Sequence, residues 1–146
     1  MSSPVRRQTP VHLLLLQDDE RSVERLRRAF EKRSGDVELH VARTGPEADA
    51  ALARDLRINL VLLSGTLPDQ ASLPWLIRLK AHADPGLRRL PVVMLSGEGA
   101  EEQIRGAYHA HASAYLVRPD DAAGLGEMVS ALVDFWGQVA RLPSRT

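Results

Sequence analysis

Cysteine is missing from this chain altogether, which excludes disulfides, thiol nucleophiles and cysteine-held metals. Net charge is missing as well: 19 basic residues balance 19 acidic ones. Without a basic surplus there is little electrostatic pull toward nucleic acid or an anionic membrane surface, and neither is expected as a partner. No apolar run approaches the ~20 residues that a membrane span requires. Residues 1–10 lack the apolar stretch of a secretory signal. They read as a flexible tail, and the expected location is cytoplasmic. Internal repeats are also absent, and a length of 146 residues with 44% apolar content suits one domain with a proper core.

What the chain does contain is an alternation. Short apolar runs at residues 11–16, 37–41, 58–63, 92–95 and 114–117 read as strands. Between them lie segments with apolar residues at helical spacing: Val23, Leu26 and Phe30; Ala48, Ala51 and Leu52; Leu76, Ile77 and Leu79; Ile104, Ala107 and Tyr108. Asp84-Pro85-Gly86 reads as a turn, and a last helix spans about 121–142. Five strands alternating with five helices predict an α/β domain over residues 11–142, a doubly wound parallel sheet covered on both faces. Residues 143–146 then form a short C-terminal tail.

In such sheets, ligands collect beyond the carboxyl ends of the strands. The central run, Leu60 to Leu63, stops there at Ser64 and Gly65. The first run stops at Gln17, Asp18, Asp19 and Glu20. A flavin or dinucleotide fold places glycines at that first turn so that backbone can approach phosphate. Their absence speaks against a nucleotide enzyme, and acids at a strand end suit a hard cation better.

Four segments carry a resemblance that covers nearly the whole chain: Leu-Leu-Leu-Leu-Gln-Asp-Asp-Glu, Leu-Val-Leu-Leu-Ser-Gly-Thr-Leu-Pro, Pro-Val-Val-Met-Leu-Ser-Gly and Ala-Tyr-Leu-Val-Arg-Pro. Their order and spacing resemble a response-regulator receiver domain of two-component signalling, a flavodoxin-like fold similar to the chemotaxis receiver. The ending, with Phe135-Trp136, Val139 and Leu142-Pro143, is similar to single-domain response regulators that partner bacterial phytochromes. So is Ile104-Arg105-Gly106-Ala107-Tyr108. The resemblance implies strand order 2-1-3-4-5 and a sensor histidine kinase or phytochrome-type photoreceptor as partner. It also implies phosphoryl transfer to an aspartate ending the third strand, with magnesium held by acids after the first. Carried over, the acid pair falls on Gln17 and Asp18, with Asp19 at the third position. The acceptor falls on Ser64, the phosphate-binding hydroxyl on Ser96, the switch aromatic on Tyr115, and the lysine-proline pair on Arg118 and Pro119.

Asp18, Ser96, Tyr115 and Pro119 match that pattern; Gln17, Ser64 and Arg118 depart from it. Two carboxylates are lost from a site whose affinity for magnesium comes largely from anionic oxygens, so no magnesium or other cofactor is expected. Ser64 has no histidine base placed beside it and is expected to satisfy its own backbone. The chain then reads as a pseudo-receiver, not an enzyme, that acts by protein–protein contact. The alternative is a phosphorelay receiver that takes phosphate at a non-standard residue such as Ser64. Asp69 lies too far along the loop to replace the acceptor. Arg118 has two readings: its planar fork turns inward to pair with Asp18 or Asp19, or it points to solvent. The histidines, including the pair His109 and His111, read as residues of strand edges and helix ends rather than metal ligands. On the last helix, Leu125, Met128, Leu132, Phe135, Val139 and Leu142 recur at spacings of three and four. With Trp136 in a neighbouring stripe, they predict a homodimer interface, and the family commonly dimerises through this region.

Overall fold

In the computed structural model, residues 10–145 are described. The tail expected at residues 1–10 lies, apart from Pro10, outside them. The elements run β1 (Val11–Leu16), α1 (Glu20–Glu31), β2 (Val37–Ala42), α2 (Gly45–Arg54), β3 (Leu60–Ser64), α3 (Ser72–Lys80), α4 (Pro85–Arg88), β4 (Val92–Ser96), α5 (Glu101–His109), β5 (Ala114–Val117) and α6 (Ala122–Asp134). All strands are parallel, in the order β2-β1-β3-β4-β5. The expected sheet is therefore present.

The alternation of side chains along each strand sorts the core into two layers. Leu14 and Leu16 of β1 point to one face, where they meet Ala48, Leu52, Trp75 and Leu76 of α2 and α3. Leu13 and Leu15 point to the other, where they meet Leu26 and Phe30 of α1 and Leu125 and Val129 of α6. Every residue of β3 and of β4 is buried, as strands covered on both faces require. Four helices start on a side-chain cap: Asp19 for α1, Thr44 for α2, Asp84 for α4 and Asp121 for α6. Each cap oxygen satisfies an N–H that the first helical turn leaves without a partner.

Several helical faces differ from the expected ones. Ile77 is 53% exposed and Tyr108 is 49% exposed. The inward stripe of α3 is Trp75, Leu76 and Leu79, with Trp75 Nε1 donating to Asp49 Oδ1 at 3.0 Å. The large indole two residues earlier takes the inward position that Ile77 was expected to fill. The turn at residues 84–86 extends into the one-turn helix α4, because Asp84 caps it and Pro85 suits a first helical position. The last helix stops being regular at Asp134. A single π-turn, Phe135–Val139, follows, and Ala140 is extended.

Past that turn the chain crosses the amino ends of the strands. Leu142 packs on the α1/α6 layer. Arg145 then donates to three carbonyls around the end of α2: Leu52 at 2.6 Å, Asp55 at 3.0 Å and Ile58 at 3.3 Å. The last carbonyls of a helix lack intrahelical partners and carry partial negative charge, so a cation is stabilising there. Arg145→Ala should lower the unfolding free energy by about 1–2 kcal/mol, from the lost charge-assisted bonds. Urea denaturation followed by circular dichroism measures this, and Arg145→Lys should recover only part because one ammonium cannot span three carbonyls.

Candidate functional site

The carboxyl edge of the sheet collects the residues singled out in the sequence. β1 and β3 run in register with Leu16 beside Leu63, so Gln17 and Ser64 come at the same level on adjacent strands. β3 and β4 place Ser64 beside Leu95, and β4 and β5 place Ser96 beside Val117. Tight strand packing narrows this edge. A Cβ built on Gly65 would sit 3.2 Å from Ser96 Cβ, so glycine is what lets the two loops pass.

Among the described residues, the buried polar side chains are Gln17, Ser64, Ser72 and Ser96. All four lie at or just beyond this edge, and all are neutral. Each makes at least one local hydrogen bond. Ser64 Oγ accepts from Thr66 N–H at 3.2 Å and pairs with Thr66 Oγ1 at 3.1 Å. Ser64 itself is only 1% exposed. Ser72 Oγ donates to the Ser64 carbonyl at 2.5 Å and accepts from Leu67 N–H at 3.3 Å. Gln17 Oε1 accepts from Asp19 N–H at 3.1 Å, and Ser96 Oγ accepts from Glu98 N–H at 3.2 Å. A buried neutral group satisfied in this way carries little penalty, whereas a buried carboxylate in its place needs a cation or several donors.

The charged residues sit around this edge. Asp19 is exposed and serves as the N-cap of α1, accepting from Ser22 N–H at 3.1 Å and Ser22 Oγ at 2.8 Å. Those bonds to Ser22 hold its carboxyl below the usual carboxylate range, with the Arg118 charge a smaller contribution. Arg118 makes no ion pair with either acid, which corrects the inward-pairing reading. It is not left to solvent either: its Nη1 donates to Ser22 Oγ at 3.0 Å and its backbone N–H to the Ser96 carbonyl at 2.7 Å. The Ser22 hydroxyl thus stands between the guanidinium and the Asp19 carboxylate, because that carboxylate is already engaged in capping. The guanidinium passes close to Gly97, where a Cβ would lie at an ordinary contact distance of 3.5 Å from Nη2. Asp18 is half-buried and, among the described residues, makes no hydrogen bond or ion pair.

Tyr115 is half-buried, and its hydroxyl donates to the Glu98 carbonyl at 2.9 Å. Ser96 and Tyr115 therefore hold the two backbone groups of one residue, Glu98, from opposite sides. Asp69 is exposed, with left-handed φ values at both Asp69 (58°) and Gln70 (54°). His109 and His111 are exposed and, among the described residues, belong to no cluster of three or more candidate metal ligands. Ser22, Thr66 and Ser72 were not foreseen. The spacing Asp19-x-x-Ser22 at a helix start is the signal that could have marked the first of them.

The resemblance implies a magnesium ion at this edge. Such an ion takes an octahedral shell of oxygens with anionic ligands. This edge offers one unengaged carboxylate, an amide oxygen already bonded to Asp19 N–H, and a buried hydroxyl closed within its own turn.

No family model matches the chain. It is 31% identical over 142 residues to the response regulator Rcp1 of Synechocystis sp., covering 92% of this chain and 95% of that protein. It is 27% identical over 137 residues to the probable methanogenesis regulatory protein FilR2 of Methanothrix harundinacea, covering 87% and 84%. Among solved structures, the phosphorylated cyanobacterial phytochrome response regulator RcpA matches with TM-score 0.82 and 29% identity, over 93% of this chain and 100% of that one. The Mn(2+)-bound form of Rcp1 matches with TM-score 0.79 and 28% identity, over 92% and 100%.

Restoring the missing charges should restore ion binding. In Gln17→Asp/Ser64→Asp, three carboxylates would crowd one edge, costing about 1–3 kcal/mol without metal. Millimolar magnesium should reverse the loss of thermal stability in the double variant and leave the native protein unmoved. Calorimetric melting with and without the ion checks both halves.

Proposed function

The chain belongs to the response-regulator receiver family of two-component signalling, and from that premise we propose that it is a pseudo-receiver: a signalling domain that works by binding, without aspartate phosphorylation and without a metal held at the Ser64 edge. The observation that carries this reading is the neutral, self-satisfied Ser64 where the family places its acceptor. Its hydroxyl is buried and bonded to Thr66, and among the described residues no base is hydrogen-bonded to it. A serine in that state is a poor nucleophile, and the donor set around it lacks the charge to hold the ion that phosphoryl transfer needs. This scheme requires neither enzymatic turnover nor a metal at the Ser64 edge.

The partners that fit are those of the phytochrome-type receivers: a sensor histidine kinase or a photoreceptor of that type, met in the cytoplasm. The similarity to Rcp1 and to the phytochrome regulator RcpA supports that choice. A second partner is another copy of the chain. The last-helix seam divides in two. Leu125 is buried with Val129 and Val133 against the sheet and does not serve an outer surface, whereas Leu132, also buried, borders the groove described below. Met128, Trp136 and Leu142 are half-buried, whereas Phe135 is 49% and Val139 67% exposed. Between β5 and α6 runs an apolar groove of about 460 Å³, bordered by Val93, Ala114, Leu116, Met128, Phe135 and Trp136. β5 is also an edge strand. Large apolar side chains around an open groove at a sheet edge favour a covered surface, and a second copy placed about a two-fold axis would cover both at once.

Incubation with acetyl phosphate and magnesium should leave the intact mass unchanged. Gain of a phosphoryl group, mapped to Ser64, would overturn the pseudo-receiver reading in favour of a phosphorelay receiver. By light scattering after size exclusion, the native protein should be a dimer and Phe135→Glu a monomer. A native monomer at tens of micromolar would remove the dimer.

A further inference from the structure

The opposite pole of the sheet holds a cluster that neither the phosphoacceptor edge nor the α6 groove uses. The parallel register sets His12 beside Glu38 and Leu14 beside His40. Strand alternation then points His12, Glu38 and His40 to one face. His12 Nδ1 lies 3.2 Å from Glu38 Oε2, and His40 Nε2 lies 3.5 Å from Glu38 Oε1. One donor atom from each of the three residues lies within 4.8 Å of the other two. The imidazole rings are tilted at 36° with centroids 6.1 Å apart, so they converge without stacking.

These two imidazole nitrogens are also sealed from solvent, and among the described residues they have no hydrogen-bond partner. The carboxylate is near both, but neither nitrogen meets it along a hydrogen-bond direction. Buried polar atoms left unsatisfied are rare and need an explanation. Each inward nitrogen has a carboxylate oxygen near it, Glu38 Oε2 at 3.2 Å for His12 and Oε1 at 3.5 Å for His40, spacings close to the roughly 3.3–3.4 Å between ligand atoms on a tetrahedron with bonds of about 2.0–2.1 Å. Asp55 adds a further oxygen 3.9 Å from His40 Nε2, held there by both arms of the Arg57 fork. Arg57 also approaches Glu38 Oε1 at 3.7 Å, so one cation already borders the cluster without entering between the nitrogens.

We infer that His12, Glu38 and His40 form a binding site for a divalent ion of the zinc class. Two imidazoles and one carboxylate are the ligand set of three-residue zinc sites that keep a fourth position open to water. Hard ions such as magnesium are disfavoured by the nitrogen donors. Because β2 is an edge strand, the ion would clamp that edge to β1 near the C-cap of α2. The site is independent of the pseudo-receiver reading, since it shares no residue with the Ser64 edge.

The test uses the full chain, stripped with a chelator and titrated with zinc chloride by calorimetry, then with cobalt chloride as an optical probe. The expected result is one ion per chain, with cobalt giving the intense visible bands of tetrahedral coordination. His40→Gln and Glu38→Gln should each weaken binding by about tenfold or more, while Asp18→Asn and the pair His109→Gln/His111→Gln should not. Glu38 is exposed on an edge strand, so its variant keeps the test valid where a histidine variant fails to fold. Absence of zinc binding by the native chain would overturn the site. So would binding that survives Glu38→Gln undiminished, or binding lost in the His109/His111 pair.

Discussion

A strand buried on both faces cannot end in an unbalanced charge. β3 lies at the centre of the sheet with every residue inaccessible, and its last residue is Ser64. A carboxylate there would demand a counter-ion or a set of donors, and the neighbouring strand would have to supply part of it. This chain meets the constraint with neutral groups: Gln17 on β1, Ser64 and Ser72 around β3, and Ser96 on β4. Each makes a hydrogen bond to a group two to eight residues away along the chain. Loss of charge at one strand end is therefore matched by loss of charge beside it.

The surrounding charges are rearranged to suit. In the family pattern, a cation after β5 faces bound phosphate. Here Arg118 is anchored by the hydroxyl of Ser22, which in turn bonds the carboxylate that caps α1. Guanidinium, hydroxyl and carboxylate form a chain across the mouth of the edge, from the loop after β5 to the start of α1. Arg25 adds a second link between the same two regions, donating to the Asp120 carbonyl at 2.7 Å. Two contacts thus tie α1 to the loop after β5.

The sheet was legible because apolar runs and helical spacings are local signals, and the spacing of the four motifs added the strand order. Helical faces were less so. Ile77 and Tyr108 are apolar in character and helical in phase, yet Trp75 and Ala107 hold the inward positions, since which neighbour is buried depends on the opposing surface. The last helix was extended too far because the periodicity of its apolar residues continues through the π-turn at 135–139. An extra residue per turn shifts the phase, and periodicity alone does not register it. At the site, the departures at Gln17, Ser64 and Arg118 were visible as residue types. The role of Ser22 was not, because it depends on three side chains meeting from α1 and the loop after β5. The His12/Glu38/His40 cluster was equally hidden: its members sit 26 and 2 residues apart along the chain and meet only through the β1–β2 register.

The strap formed by the C-terminal segment has its own consequence. Chain ends ordinarily fray first and report little on the rest of a domain. Here Arg145 is bonded to a carbonyl 93 residues upstream, at the point where α2 hands the chain to β3. Opening the terminus therefore exposes the last turn of α2 and loosens the entry to the central strand. Amides there should exchange with solvent in step with those near residue 145, making the end of the chain part of the same cooperative unit as its middle.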